Sequence, residues 1–523
     1  MKITLHKITI YLMSLAVLLG TASCLEKYPG QSIPEGEAMQ TYKDAEQHLI
    51  GIYSSLKNEA LYSGDLTILP DLQCDLAYGV QGSNNDYGDF WLWNVRSTDA
   101  YLEAVYGSLY GVIGNCNFYL DRIDRVIAAE TDDDRLDDLE EYTGQVYAIR
   151  ALCYSELIKC YCKAYDPATA ATDPGVVLRT KYFEKERMIR ASLEDSYRFV
   201  LDDLKRAEER LSDEDEDNES TSDYITAAAA QALRARVALY MQDWDTAIEY
   251  ASKLIDDKKN IFSLASVRET APDGATWFDY MWAYDQSPEV IWRIGFTSTS
   301  AGGALGDQFL GFRRDFTYYY PNYVAAQWVL DLYDDNDVRR ASYFADEDDG
   351  IVIGYENGLK WPLLVKYWGN RNLIAISPTT MMHRSMPKPF RLAEQYLIRA
   401  EAYCRRANPD YNAASKDLTA LRQKRYASGG TLNVTEKNWL REISNERVRE
   451  LYMEGFRLQD LKRWGKQYAD LNNGYSFERK QQTLALEEGS KLKIRYDNPL
   501  FVWPIPQNEL EAPGSEVTPN ESN

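Results

Sequence analysis

Histidine is nearly absent from this chain: its 523 residues include only His6, His48 and His383. A zinc site built from imidazoles needs several histidines, and a Ser-His-Asp triad needs one beside its nucleophile. Both kinds of site are therefore disfavoured. The sequence also lacks a phosphate-binding P-loop and a GxGxxG motif, because AGGALG at 301–306 has the wrong spacing and no lysine after it.

Positive charge is scarce as well. Lysine and arginine number 58 against 81 aspartates and glutamates, which gives a net charge of −23. So acidic a surface argues against nucleic-acid binding, which needs a basic face. The seven cysteines fit no zinc or redox spacing, so those after Cys24 are predicted to be buried thiols. Nothing in the sequence calls for a metal or a cofactor.

Long apolar runs are confined to the N-terminus, where residues 8–19 follow two lysines. This run is too short to span a bilayer, so residues 1–23 are predicted to be a signal peptide. Cys24 directly follows Thr21-Ala22-Ser23, which resembles a bacterial lipobox, although leucine usually stands where Thr21 is. The alternative is an ordinary secretory signal with an incidental cysteine. Several acyl chains on Cys24 would tether the protein stably to a membrane.

Helical periodicity dominates the chain beyond this N-terminal segment. Apolar residues recur at steps of three and four over 100–127, and 144–162 and 192–211 are two further predicted helices, the latter capped by Ser192. Residues 227–255 and 393–425 each resemble a tetratricopeptide helix pair, with small residues where two helices approach closely. Residues 261–389 instead show short β-like runs among loops. We predict an all-α-dominated fold in which a helical-pair scaffold carries an irregular, loop-rich lobe with a few short strands.

The stretch NNDYGDFWLWN at 84–94 sets aromatic residues in a polar loop. If FWLWN is extended, Trp91 and Trp93 share one side and form a platform for the apolar face of a sugar. Asn94 and Arg96 would bond the hydroxyl rim, with Tyr87 beside them. The alternative is that both tryptophans are buried packing.

A second aromatic set lies in the lobe, in WFDYMWAYD at 277–285 and FRRDFTYYYPNY at 312–323. The first supplies Trp282 as a candidate ligand contact. The second supplies Tyr318, Tyr319 and Tyr320, beside Arg313 and Arg314.

Glu446, Glu450 and Glu454 lie four apart on one predicted helix face. Paired carboxylates can serve acid/base chemistry, as in glycosidases. Every acid here, however, has basic residues within one or two turns, so we interpret the block as salt-bridged scaffold interrupted at Gly455.

Several stretches resemble the SusD/RagB family: QVYAIRALCYSELIKCY (145–161), SPEVIW (287–292), RLAEQYLIRAEAY (391–403), ERVRELYMEGFRLQDLKRWGK (446–466) and NPLFVWPIPQNEL (498–510). The resemblance implies four tetratricopeptide-like helix pairs, with scaffold at about 38–260 and 390–470, a ligand-binding lobe at about 261–389 and a closing segment at about 471–523. It also implies a non-catalytic, surface-exposed outer-membrane lipoprotein that binds glycans. Its expected partner is a SusC-type TonB-dependent transporter, over which it sits as a lid.

Two alternatives stay open. A lipid-anchored glycoside hydrolase is one, with Asp89 and Asp279 as the only acids among the aromatic residues that could serve it. The other is a family member that binds a nutrient other than a glycan, such as a peptide.

Overall fold

The computed structural model describes residues 38–80, 86–182, 188–211, 218–311, 319–345, 361–480 and 491–523. Its α-helices are α1 (Tyr42–Ser55), α2 (Asp65–Leu72), α3 (Gly88–Trp91), α4 (Ala100–Leu120), α5 (Ile123–Ala129), α6 (Asp133–Tyr161), α7 (Leu193–Glu208), α8 (Ala227–Tyr240), α9 (Trp244–Ile255), α10 (Trp277–Tyr284), α11 (Asp307–Leu310), α12 (Gln327–Leu330), α13 (Arg339–Tyr343), α14 (Arg371–Ile376), α15 (Pro378–Met381), α16 (Leu392–Arg405), α17 (Tyr411–Gln423), α18 (Trp439–Leu451), α19 (Arg457–Ala469) and α20 (Gln507–Leu510).

The strands are short and pair only two at a time. They are β1 (Ala77–Gly79), β2 (Pro174–Val177), β3 (Arg190–Ser192), β4 (Val290–Trp292), β5 (Tyr323–Ala325), β6 (Phe344–Ala345), β7 (Leu363–Leu364), β8 (Phe390–Arg391), β9 (Tyr475–Lys480) and β10 (Lys491–Arg495). The antiparallel pairs are β1 with β5, β2 with β3, β4 with β8, β6 with β7 and β9 with β10. None of the described helices is both long and apolar enough to cross a membrane.

Eight of the longer helices pack in series along the chain. The order is α1, α4, α6, α7, α8, α9, α16 and α17, each in contact with the next. Taken two at a time they form four helix pairs, and small buried residues such as Ala235, Ala247 and Ala402 let α8, α9 and α16 approach closely. The predicted all-α-dominated fold is therefore confirmed.

Capping side chains set several helix starts. Ser192 accepts a hydrogen bond from the backbone N–H of Asp195 at the start of α7, and Asp243 caps α9 in the same way. The prediction of one helix over 100–127 is wrong in one respect. The apolar stripe continues, but the chain leaves helical geometry at Arg122, so α4 and α5 are separate helices.

The segment between α9 and α16 has the predicted irregular character. Its helices are short, and its strands have two or three residues each. Pairing of β1 with β5 fastens this segment to the scaffold, whereas pairing of β4 with β8 joins two parts of the segment itself, the second directly before α16. The division of the chain into scaffold, lobe and closing segment stays a prediction, since no independent boundary defines it.

A buried ionic cluster joins these parts. Glu446, Glu450 and Glu454 are all ion-paired, so the interpretation of this block as scaffold is confirmed. Their cationic partners come from the lobe and from three scaffold segments: Arg339, Lys366, Arg391, Arg422, Arg425 and Arg449. The cluster is more extensive than the predicted stitching of two helices, because its arginines reach it from distant parts of the chain.

Gly455 lies between α18 and α19, directly after Glu454 of this cluster. Its φ of +83° lies in the left-handed region, and a Cβ built there would stand 3.0 Å from the carbonyl oxygens of Leu66 and Thr67. Its N–H also donates to Asp71 over 3.1 Å. A side chain at this position would therefore clash with α2.

The six described cysteines are free and buried, as predicted. Cys24 and the signal peptide lie outside the described residues.

Candidate functional site

An open cleft of about 470 Å³ lies where α2 and α3 face the lobe. Its described walls combine aromatic, amide, carboxylate and apolar side chains. The lining residues are Glu59, Gly64, Ile68, Asp86, Tyr87, Ala304, Leu305, Asp307, Gln308, Gly311, Tyr320 and Asn322. In the described part of the chain, no three metal-ligating side chains are grouped so as to hold a metal ion.

Strand pairing brings together the two aromatic regions singled out in the sequence. Gly79 of β1 lies opposite Tyr323 of β5, and the hydroxyl of Tyr323 donates to the carbonyl oxygen of Asp86 over 2.6 Å. As a result, Tyr87 from the first region and Tyr320 from the second line the same cleft. The hydrogen bond that joins the two walls links residues 237 positions apart in the chain.

Tyr87 forms part of the scaffold-side wall and is held firmly. It precedes α3 with a left-handed φ of +63°, an uncommon conformation for a bulky residue. Its hydroxyl donates to Asp65 over 2.8 Å, and its ring meets that of Tyr101 edge-on with centroids 4.7 Å apart. Burial raises the pKa of Asp65 to about 7, although the hydrogen bond from Tyr87 opposes the shift.

Trp91 and Trp93 are buried, with 4% and 8% of their surfaces exposed. The indole N–H of Trp91 donates to the carbonyl oxygen of Ala77 over 3.2 Å, and that of Trp93 donates to the carbonyl oxygen of Gln73. Trp93 also meets Phe501 edge-on at 5.0 Å. Neither indole face is open to a sugar in this structure, which matches the alternative interpretation of the stretch.

The expected extended conformation of FWLWN is also wrong. Residues Gly88–Trp91 form the short helix α3, bounded by left-handed residues at Tyr87 and Trp93. Both tryptophans are covered because neighbours from distant parts of the chain pack against them. The sequence does not show those neighbours, which come from the β9 region and from the 3-10 helix Pro499–Phe501.

Asn94 and Arg96 are exposed but lie outside the lining of the cleft. The side-chain amide of Asn94 donates to Asp89 over 3.2 Å, and its backbone N–H bonds the carbonyl oxygen of the same residue. Asn94 thus closes its own turn in this structure.

In the lobe, Trp282 is a core residue with 6% of its surface exposed. The ammonium groups of Lys366 and Lys388 lie 4.2 and 4.8 Å from its ring centre, so cations already occupy its faces. Trp282 therefore packs in the core in this structure, and its predicted contact with a ligand stays a prediction. The helical spacing in WFDYMWAYD turns Trp282 inward, whereas Trp277, Tyr280 and Tyr284 are half-buried.

The described tyrosines of the second aromatic stretch are more accessible to a ligand than Trp282. Tyr320 is 39% exposed and lines the cleft, and its N–H donates to the carbonyl oxygen of Gly311. Tyr319 is half-buried, with its ring centre 6.1 Å from that of Trp368. Tyr318, like Arg313 and Arg314, lies outside the described residues.

Sequence reasoning missed an amide pair in the cleft. The side chain of Asn322 donates to Gln308 over 2.8 Å, and their backbones are joined by a second hydrogen bond of 2.8 Å. Gln308 and Asn322 lie on either side of Tyr318, Tyr319 and Tyr320 in the sequence, so their position near a predicted contact was the available signal.

These groups suit a polyhydroxylated ligand. The ring of Tyr320 offers an apolar face, while the amides of Gln308 and Asn322 and the cleft carboxylates offer donors and acceptors for hydroxyl groups. The mixture of a few polar groups with an aromatic wall is typical of a small-molecule or oligosaccharide site.

Comparisons with known proteins bear on the chain's family. Residues 35–239 match a family described as starch-binding and associating with the outer membrane, and residues 360–520 match the SusD family. The chain is 23% identical to the SusD-like protein P25 of Formosa agariphila over 505 residues, covering 88% of this chain and 90% of that protein.

Solved structures share the fold. A SusD superfamily protein from Bacteroides thetaiotaomicron superposes with a TM-score of 0.73 at 21% identity, covering 92% of this chain and 99% of that one. A laminarin-binding SusD-like protein gives a TM-score of 0.65 at 20% identity, covering 92% and 100%.

Together, the fold and these matches first define a class: helical glycan-binding proteins that associate with the outer membrane. Within that class, the chain belongs to the SusD/RagB family.

Proposed function

We propose that this protein binds a glycan chain in the cleft between Tyr87 and Tyr320 and delivers it to a SusC-type TonB-dependent transporter, over which it acts as a lid. The observation that carries the proposal is the meeting of two aromatic regions, distant in sequence, at one open cleft with an amide pair. Tyr319 and Tyr320 are the proposed stacking residues, and Gln308 and Asn322 the proposed hydroxyl contacts.

Attachment is proposed through lipid on Cys24 after removal of residues 1–23, which would place the protein on the outer face of the outer membrane. Support comes from the lipobox-like sequence and from the family's association with that membrane. A lid requires an extensive contact with the transporter, well above the roughly 1,000 Å² of a specific interface. Copurification of a large barrel protein from outer membranes tests this part, and its repeated absence would count against the partner.

The protein is proposed to bind without catalysis. Burial alone would raise the pKa of Glu446, but Arg339, Arg449 and Arg422 outweigh it and lower that pKa to about 2. Glu446 therefore cannot act as a general acid near neutral pH. Both carboxylate oxygens of Asp279 are already engaged, because they accept hydrogen bonds from the hydroxyls of Thr276 and Ser342 over 2.7 and 2.6 Å. This carboxylate is therefore not a free acid or base for catalysis.

The remaining candidate acid for a hydrolase is Asp89, which is exposed and holds Asn94. Sustained release of reducing ends from polysaccharides, lost in Asp89→Asn, would favour the hydrolase instead. Binding of peptides in place of any glycan would favour the other alternative.

The central test is titration of the full chain with a panel of oligosaccharides and polysaccharides. With the ligand that binds, Tyr320→Ala should lower affinity about five- to tenfold, since an aromatic contact contributes about 1 kcal/mol. Tyr224→Ala is the matched control, because Tyr224 is 51% exposed and does not line the cleft. If both variants lose affinity equally, or neither loses affinity, the ligand does not bind at Tyr320 and the site lies elsewhere.

A further inference from the structure

A second, internal cavity of about 40 Å³ lies behind the cleft, between the scaffold and the lobe. Leu305 lines both the cavity and the cleft. The scaffold contributes Lys159 and Arg236 to the cavity wall, and the lobe contributes Trp282 and Lys388. A space of this size has room for about two or three water molecules, or for one small ion.

Three cationic side chains border this cavity. Each is ion-paired with a buried carboxylate: Lys159 with Glu156, Arg236 with Glu394, and Lys388 with Asp285. These three carboxylates do not belong to the described lining, so the cationic ends of the pairs are the parts that border the cavity. The described lining does include the carboxylate of Glu454, which Lys366 and Arg391 share.

A further positive charge stands beside Lys159. The ammonium group of Lys462 donates to the carbonyl oxygens of Lys159 and Cys162 over 2.5 and 2.9 Å, and in the described part of the chain no carboxylate is ion-paired with it. Burial, with a smaller contribution from the Lys159 ammonium group, lowers the pKa of Lys462 to about 8. Most of this lysine is still protonated at neutral pH, so its charge adds to the positive potential on this side of the cavity.

Trp282 supplies a hydrogen-bond donor without an acceptor. Its side chain lines the cavity and is more than nine-tenths buried, and its indole N–H has no hydrogen-bond partner among the described residues. Buried N–H groups in folded proteins are almost always paired with protein, water or a bound ligand. An unpaired donor at a wall that also carries three cations indicates a negatively charged or strongly accepting occupant.

We infer that this cavity binds a small monovalent anion, such as chloride, between the indole N–H of Trp282 and the cationic groups of Lys159, Arg236 and Lys388. Hydrogen bonds from charged donors to an anion are stronger than those between neutral groups. Glu454 in the same wall opposes a second negative charge, which favours a monovalent anion over sulfate or phosphate.

Such an anion would join the lobe to the scaffold. Trp282 and Lys388 belong to the lobe, whereas Lys159 lies on α6 and Arg236 on α8. The bound ion would therefore stabilise the folded chain in proportion to its occupancy. This site does not depend on the proposed glycan function, since it involves neither Tyr320 nor the amide pair.

Crystals of the mature chain grown with sodium bromide test the site directly. Bromide has the charge of chloride, is only slightly larger and is located by its anomalous scattering. We expect an anomalous peak inside the cavity, within hydrogen-bond distance of Nε1 of Trp282. A cavity that holds only ordered water in these crystals would overturn the inference.

Thermal melting tests the site in solution. The wild type is melted in sodium chloride and in sodium gluconate of equal ionic strength, since gluconate is too large for a cavity of about 40 Å³. Trp282→Phe removes the N–H and keeps an aromatic ring. We expect chloride to raise the midpoint of the wild type by about 1–3 °C more than that of Trp282→Phe.

Trp277→Phe is the matched control, because Trp277 lies on the same helix, is half-buried and does not line the cavity. It should respond to chloride as the wild type does. The inference is wrong if Trp282→Phe responds equally, and a bromide peak without any chloride response in solution would mean binding at crystal concentration only. If Trp282→Phe does not fold, the bromide crystals of the wild type decide.

Discussion

The hydroxyl of Tyr87 donates a 2.8 Å hydrogen bond to Asp65, a carboxyl with 5% of its surface exposed, directly behind the wall of the cleft. Burial raises the pKa of Asp65 to about 7 from an ordinary value of 3.8. In the pH range between these values the folded protein binds a proton that the unfolded chain releases. Folding is therefore favoured by protonation, and the free energy of unfolding contributed here falls as pH rises from about 4 to about 7.

The first prediction concerns this pH dependence. Asp65→Asn keeps an acceptor for Tyr87 and cannot ionise, so its thermal midpoint should fall less than that of the wild type between pH 5 and pH 8. Burial raises the pKa of Asp71 to about 7 as well, so some of the slope should persist. Melting both proteins across this range, with Asp202→Asn as an exposed control, measures the effect. Identical slopes for Asp65→Asn and the wild type would contradict it.

A second prediction concerns the two buried tryptophans. Trp91→Ala and Trp93→Ala should each lower the free energy of unfolding by about 3–5 kcal/mol, because each leaves a large cavity and an unpaired backbone carbonyl. Leu92 lies between them and is 37% exposed, so Leu92→Ala should change stability by about 0.5 kcal/mol or less. Urea denaturation of the three variants decides the matter: comparable, small losses in all three would mean that the indoles are not core.

The third prediction tests the ionic cluster. Burial opposes ionisation of Glu450, but Arg425 and Arg391 hold its pKa well below the ordinary value. Glu450→Gln removes this charge and leaves buried arginines uncompensated, which should cost about 3–5 kcal/mol of stability. Glu249→Gln breaks an exposed pair with Lys253 and should cost about 0.5 kcal/mol or less. Chemical denaturation measures both losses. If Glu450→Gln and Glu249→Gln lower the free energy of unfolding equally, the buried ion pairs contribute no more to stability than the exposed pair.

The fourth prediction addresses membrane attachment. Cys24→Ala should remove the lipid anchor, so the protein should shift from the detergent phase to the aqueous phase in phase partitioning of cells that express it. Cys404→Ala leaves the lipobox intact and should stay with the detergent. If Cys24→Ala still partitions with detergent, the N-terminus is not the anchor.

The helical scaffold is predictable from local patterns in the sequence. Small residues and capping residues such as Ser192 and Asp243 act within one or two helical turns, so their effect is readable from neighbours in the chain. The scaffold role of Glu446 and Glu450 is readable too, because opposite charges surround them locally.

The cleft is only partly predictable from the sequence. Tyr320 is a surface residue of the lobe as expected, since three tyrosines before a proline are hard to bury together. Trp91 and Trp93 are misleading because partners such as Phe501 come from the far end of the chain, and Trp282 is misleading because its helix turns it inward. A local sequence pattern does not predict burial by segments that are distant in the chain.

The pairing of β1 with β5 builds the cleft from two stretches of chain that lie far apart in the sequence. One wall can accumulate substitutions around residues 86 and 87 while the other, around 304–322, keeps its shape. The proposed ligand preference could therefore be altered by substitutions in one wall of the cleft while the other wall is unchanged. A chimera that takes only one wall from a relative should acquire a hybrid preference on an unchanged scaffold.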